Sequence, residues 1–492
     1  MHDQTNTMSR GLRRLRLWLQ LARPAAHGAW YARPLRQSSA VRWWQVFGAL
    51  FLVMATGNAG LVWAQDPIIE VAINTTSKLT SLQDPGGPTG SRKRLSERGI
   101  TYGLVYTGDV LSNLSGGNKR GTIYQGKLET MLTLDLEKLA GWQGLKLYSN
   151  AFQIHNTGRI RRDYVGGMNT IAAIEAAPST RLSELWLERK FFGGDASFRI
   201  GQLAADSEFF FSDISVMFMQ TDWPTIAAVN LWGGGPAYPL STPGARLKFD
   251  VTGDLSLLLA VFNGDPAGPG TDDADQRNRY GLNFRVHDPV LIIGEAQFRA
   301  NQGPEDSGLA RTLKLGGWGH LGGYDDKRFA DDGSLLADPA GSGIPAKRSG
   351  NYGIYGIMDQ QIYRPQGGAP DSGISVFSRA SLSPSDRNPI ALHLDGGIVC
   401  AGLIASRPED RFGINVIYAR FSDGVRRFDQ DQVNYGGAPG FVRDYEASLE
   451  LSYVAQIIPG WTVQPDLQYI RHPSGQEGRD ATVVGVRSIW KY

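Results

Sequence analysis

Five arginines, Arg199, Arg246, Arg285, Arg299 and Arg379, occupy polar positions of alternating segments. They are opposed by Glu129, Glu184, Glu188, Glu295, Glu446, Glu450 and Asp466, with Gln202, Gln297, Gln464 and Gln468 among them. A guanidinium offers two parallel N–H donors in a rigid fork. Carboxylates and amides supply the acceptors, and a wall of mixed sign suits a neutral polar solute better than an ion. A second group is aromatic: Phe209, Phe210, Phe211, Trp223 and Trp232 fall between Asp206 and Thr242. That segment is too irregular for a strand, which predicts a loop folded into a cavity and narrowing it, with Phe210, Trp223 and Trp232 presented there.

Other chemistries find little support. His155, His287, His320, His393 and His472 are scattered, and none is spaced with Ser, Cys or carboxylates as a triad or metal site requires. Cys400 is the single cysteine, so no internal disulfide forms, and on an apolar strand it reads as inert filler. The acidic runs Asp272-Asp273 and Asp325-Asp326 read as exposed loops. The glycine run at Gly233 lacks the Lys-Ser/Thr of a phosphate cradle. No metal, cofactor or enzymatic activity is expected.

The elements that must hold these groups are strands. In GWTVQPDLQYIRHPSG, Trp461, Val463, Pro465, Leu467 and Tyr469 alternate with Thr462, Gln464, Asp466 and Gln468. The same two rows recur in KLETMLTLDL from Lys127, PGARLKFDV from Pro243, NRYGLNFRVHD from Asn278 and RDYEASLELSYVAQ from Arg443. Strict alternation marks strands with one apolar and one polar face. Aromatics bracket the apolar row of the segments at Tyr445 and Trp461, a span of roughly 19 Å for tilted strands. A sandwich core has no reason for aromatics at both strand ends, whereas a membrane barrel places its girdles there. IIPG is a tight turn, while GPAGPGTDDADQRN and the stretch from Tyr324 to Gly350 are long and polar. The fold class is therefore all-β: a closed antiparallel transmembrane β-barrel of about sixteen strands, with long extracellular loops and short periplasmic turns.

The 492-residue chain opens differently: residues 1–64 carry eight arginines against Asp3, followed by an apolar run from Val46 to Ala64. This reads as a signal peptide with a long basic n-region. Its removal takes Lys+Arg from 50 to 42 and Asp+Glu from 48 to 47, so the formal charge moves from +2 to −5. No basic stripe survives, which argues against nucleic acid as a partner. Residues 65–98 are polar and read as a periplasmic tether, leaving 99–492 for the barrel.

Four blocks now carry a family likeness: RLSELWLERKFF with FRIGQLAADSEFFFSD; GGPAYPLSTPGARL; TLKLGGWGHLGGYDDKRF with NYGIYGIMDQQIYRP; and SVFSRASLSPSDRN leading to VQPDLQYIRHPSG. In this order they resemble the OprB-type carbohydrate-selective porins. The resemblance implies an outer-membrane channel for passive diffusion of small neutral saccharides such as glucose, embedded in outer-membrane lipid. The last strand, ending in Trp-Lys-Tyr where the family usually closes on Phe, is then offered to the barrel-assembly machinery, and both monomer and homo-oligomer stay open. Candidate lining residues are Arg199, Glu184, Glu188, Gln202, Arg246, Arg285, Glu295, Arg299, Arg379 and Asp466. Arg199 is expected at the narrowest point, with Gly201 leaving room for the inward loop. A general diffusion porin without sugar selectivity is the alternative; a non-transporting barrel, enzyme or lectin, is the more remote one.

Overall fold

The computed structural model describes residues 90–220, 229–303, 305–437 and 440–492. The expected signal peptide, most of the tether and Trp223 lie outside the described residues. The charged run at the end of the expected tether is a short helix, α1 (Ser91–Glu97).

Sixteen strands follow: β1 (Ile100–Ser115), β2 (Gly121–Asp135), β3 (Leu145–Asn156), β4 (Ser179–Phe191), β5 (Ala196–Leu203), β6 (Thr242–Asp250), β7 (Leu255–Asn263), β8 (Val290–Ala300), β9 (Arg311–Ala330), β10 (Pro345–Tyr363), β11 (Gly373–Leu382), β12 (Ile390–Ala401), β13 (Arg411–Phe421), β14 (Tyr445–Ile458), β15 (Trp461–Arg471) and β16 (Ala481–Lys491). Each pairs antiparallel with its sequence neighbours, and β1 pairs with β16, with Val105 opposite Lys491 and Val110 opposite Val486. Closure leaves no edge whose unpaired N–H and C=O groups would face lipid.

The alternation reappears as two faces. On β15, Thr462, Gln464, Asp466 and Gln468 are buried inside, while Leu467 and Tyr469 are exposed outside. On β14, Glu446, Ser448, Glu450 and Ser452 point in and Leu449 points out. Stacked Trp461 and Trp490, with ring centroids 4.6 Å apart, lie at the short-turn end of their strands. Tyr445 and Tyr469 lie at the opposite ends. Connections 192–195, 364–372, 402–410 and 459–460 close one end; 157–178, 264–289 and 331–344 extend from the other, from which 204–220 and 229–241 turn inward.

One expected strand is absent. Residues 278–288 alternate, yet they belong to the connection between β7 and β8, with Tyr280, Leu282, Phe284 and Val286 all exposed. Alternation alone does not supply a hydrogen-bonded neighbour, and β8 begins only at Val290.

Candidate functional site

The lumen is narrowed by the described parts of the chain between β5 and β6, residues 204–220 and 229–241, and the wall fixes this loop through its backbone. Glu184 on β4 accepts from the Ala204 N–H at 3.1 Å, and Glu295 on β8 from the Phe210 N–H at 3.2 Å. Asp359 on β10 accepts from the Asp213 N–H at 2.8 Å, and Glu450 on β14 from the N–H groups of Met219 and Gln220 at 2.6 and 3.1 Å. Donors complete the set: Lys314 Nζ to the Phe211 carbonyl at 2.6 Å, and Gln464 Nε2 to the Met217 carbonyl at 2.7 Å. An irregular segment inside a barrel has no ladder partners for its peptide groups, and an unpaired buried one is costly. Inward carboxylates and amides supply those partners.

Phe210 is the most tightly held point. Its φ of 61° is left-handed, a conformation that aromatic residues rarely adopt. The N–H is bound by Glu295, the carbonyl accepts from Arg379 Nη1 at 3.2 Å, and the ring stacks on Tyr355 at 3.7 Å. Three contacts from three strands thus over-determine a strained residue. Further along, Phe218 packs on Phe377 and against Gly413, where any side chain would collide with its ring.

Beside this loop lies a cluster of four charges. Arg199 Nη2 is 2.7 Å from Glu188 and its Nη1 is 3.3 Å from Glu208. Arg246 Nη2 is 2.8 Å from both Glu188 and Glu208, and its Nη1 donates to Ser197 Oγ at 2.6 Å. The Arg199 guanidinium lies 3.8 Å from the Trp186 ring centroid, and Trp186 stacks on Tyr148 at 4.9 Å. Two cations and two anions balance, which lets them share a site where Arg199 keeps 3% and Arg246 2% of its surface exposed.

The expected lining residues divide accordingly. Arg199, Glu188 and Arg246 come together in the charge cluster, while Glu184 and Glu295 anchor the loop. Gln202 is buried, donating to the carbonyls of Ser183 and Gly281, both at 2.8 Å. Arg379 pairs with Asp395 at 2.7 Å, and Asp466 accepts from Gln468 at 2.8 Å. Arg299 points inward and is more open, 3.6 Å from Asp213 of the loop. Arg285 does not belong to the wall: it sits in the β7–β8 connection and pairs with Asp288, because the strand expected to carry it does not form. Trp232 is at the returning end of the loop, packed on His320 at 4.8 Å and Tyr324 at 5.7 Å. Gly201 makes room for β4 instead of the loop: a Cβ there would stand 2.2 Å from the Leu185 carbonyl oxygen.

Several residues escape sequence reasoning. Glu208 and Asp359 are partners whose roles depend on loop placement. Arg181 is buried because a register shift opposite Asn150 and Ala151 reverses the parity of β4, and its Nη2 donates to the Asn278 carbonyl at 2.5 Å. Asp109 and Arg487, directly paired across β1 and β16, form a bidentate pair at 2.8 and 2.9 Å. Their inward parity is legible; their meeting requires knowing that the first and last strands close.

Residues 119–492 match the family described as "Carbohydrate-selective porin, OprB family". The chain belongs to this family. It is 25% identical to Porin B of Pseudomonas aeruginosa over 468 residues, covering 89% of this chain and 96% of that protein. It is 22% identical to the putative porin QuiX of Acinetobacter baylyi, covering 81% and 90%. The high-pH structure of Pseudomonas putida OprB superposes with a TM-score of 0.72 at 22% identity, covering 85% of this chain and all but 1% of that one (99% covered). The protein is a porin of the bacterial outer membrane, not an enzyme, so the long connections are extracellular and the short turns periplasmic.

Proposed function

We propose that this OprB-family porin passes small neutral saccharides, glucose among them, by passive diffusion with selection over other solutes of equal size. The observation that carries this reading is charge balance in a narrowed lumen: Arg199, Arg246, Arg379 and Arg487 are each matched to a carboxylate. Such a wall presents hydrogen-bonding groups of both signs, which suits a neutral polar solute better than an ion of one sign. In this reading residues 1–64 direct export, and β16 with Tyr492 is the segment offered to the barrel-assembly machinery. The C-terminal ring lies 6.3 Å from Tyr102, and the Tyr492 N–H donates to the Leu104 carbonyl at 2.9 Å.

Swelling of liposomes containing the purified protein tests the reading. Glucose is expected to enter faster than amino acids of matched size. Equal rates would assign the general diffusion alternative, and no swelling with no conductance in planar bilayers would remove the channel altogether.

A further inference from the structure

The anchors of residues 204–220 and 229–241 are distributed unevenly around the wall. They come from β4, β5, β6, β8, β9, β10, β11, β12, β14 and β15. The inward rows of β2 and β3 meet the loop differently, through a lysine and an aromatic ring. Lys127 Nζ is 2.9 Å from Glu129, 4.8 Å from the Phe152 ring centroid and 5.1 Å from that of Tyr238, on the returning arm of the loop. Asn150 Nδ2 donates to Glu129 at 2.8 Å and steadies the carboxylate. Tyr238 is fixed at both ends, its N–H on Asp206 at 2.8 Å and its hydroxyl on the Ile174 carbonyl at 2.9 Å.

This corner differs from the four-charge cluster in access. The Lys127 and Glu129 side chains each keep 15% of their surface exposed, whereas those of Arg199 and Glu188 keep 4% and 5%. Arg199 and Arg246 each meet two carboxylates and Arg246 also Ser197, so sugar hydroxyls would have to displace charged partners on several sides, whereas Lys127 and Glu129 share one contact and keep open surface beside it. At the corner, one ammonium donor and one carboxylate acceptor stand side by side, a spacing suited to adjacent hydroxyls of one ring. The half-buried Tyr238 ring offers a plate for the C–H face, with Phe152 supporting the ammonium through a cation–π contact.

We propose that Lys127 and Glu129, with the Tyr238 ring, form the hydroxyl-binding station for saccharides in the lumen, and that the Arg199 cluster acts by holding the loop in place. This rests on the porin reading above and names the residues that would give it selectivity.

The test is glucose block of single-channel current through the purified protein in planar bilayers. Lys127→Met and Glu129→Gln are each expected to weaken block about tenfold, the effect of losing one charged hydrogen bond. Lys127→Arg should retain most of it, since the donor and its place over the rings persist. Glu129→Gln keeps the side chain's shape, so the test survives if Lys127→Met does not assemble. Unchanged block in Glu129→Gln and in any folded Lys127→Met overturns the station, and so does loss of block confined to Arg299→Gln. Should glucose and matched amino acids enter wild-type liposomes equally, the selective-porin reading itself fails, a result separate from either variant.

Discussion

Arg199 and Glu188 face each other in register across β5 and β4, with guanidinium and carboxylate 2.7 Å apart and almost no surface left to water. Glu188 is shared with Arg246, and Arg199 also meets Glu208 of the inward loop, so the pair fastens wall to loop. Removing one member of a buried ion pair leaves its partner uncompensated, at a cost of about 3–5 kcal/mol. Arg246 remains beside Glu188, which places Arg199→Ala toward the lower value. The expected result is a lower temperature for heat-induced unfolding of the detergent-solubilised barrel, together with larger open-channel conductance as the loop loosens. Arg199→Lys should recover little, because an ammonium cannot bridge two carboxylates and cover Trp186 in the same geometry. Unaltered conductance in Arg199→Ala would show that the loop is held without this cluster.

Glu450 offers a cleaner test of backbone anchoring. Its two oxygens accept from consecutive peptide N–H groups, Met219 at 2.6 Å and Gln220 at 3.1 Å. Glu450→Gln keeps size but replaces one acceptor with a donor, opposing one of the two N–H groups. An orphaned buried donor costs about 1–3 kcal/mol. Faster hydrogen exchange of the Met219 and Gln220 amides is expected, with the strand amides of β14 unchanged. Equal exchange at all of them would contradict the anchoring role.

The sequence makes the wall far more legible than the loop. The parity of β14 and β15 follows from period-two alternation, because lipid and water each select one face and leave little freedom of register. The irregularity of residues 204–241 is legible for the complementary reason, being aromatic without alternation. Which wall residue holds which peptide is not, since Asp359 and Asp213 are brought together only by the path of the loop. Arg181 is obscured by a single register shift in β4, which reverses inside and outside. Arg285 misleads in the opposite sense: alternation in residues 280–286 satisfies the pattern of a strand without a neighbour to pair with.

Two extracellular connections are joined by charges whose response to acid has a definite sign. Arg159, on 157–178, pairs with Asp273 and, at 3.5 Å, with Asp275, both on 264–289; Arg162 pairs with Asp273 at 3.0 Å and Asp163 at 2.7 Å. Burial would raise the Asp273 carboxyl, but the hydrogen bond and charge of Arg159 outweigh it and hold it below its ordinary 3.8. Burial likewise works against Asp163, which its Arg162 bond keeps low. Burial raises Asp275 despite the Ala177 N–H it accepts. The depressed groups contribute stability that is present above 3.8 and lost as pH falls through their folded values. Asp275 takes up its proton earlier on acidification, which relieves the cost of its buried charge. Protease resistance of both connections is therefore expected to persist at about pH 5 and to fall below about pH 3.8. Asp273→Asn should lose resistance at neutral pH. Equal cleavage of variant and wild type across this range would remove the latch.

The seam between the first and last strands has its own clasp. Asp109 and Arg487 are fully or nearly buried, joined by two hydrogen bonds, and Gln125 Nε2 adds a third contact to the carboxylate at 3.0 Å. Strands β1 and β16 are separated by almost the whole barrel sequence, so their pairing closes a long loop whose entropic cost the seam contacts must offset. Asp109→Ala strands the Arg487 guanidinium inside, with an expected loss of about 3–5 kcal/mol. Asp109→Asn with Arg487→Gln removes both charges and keeps hydrogen-bonding groups, so it should be less damaging than the single alanine change. The measurement is the folded fraction on cold electrophoresis after refolding into detergent, with the unfolding temperature as a second reading. A double variant as impaired as Asp109→Ala would show that the charges themselves are required at the seam, and no loss in the single variant would show that the backbone ladder alone closes the barrel.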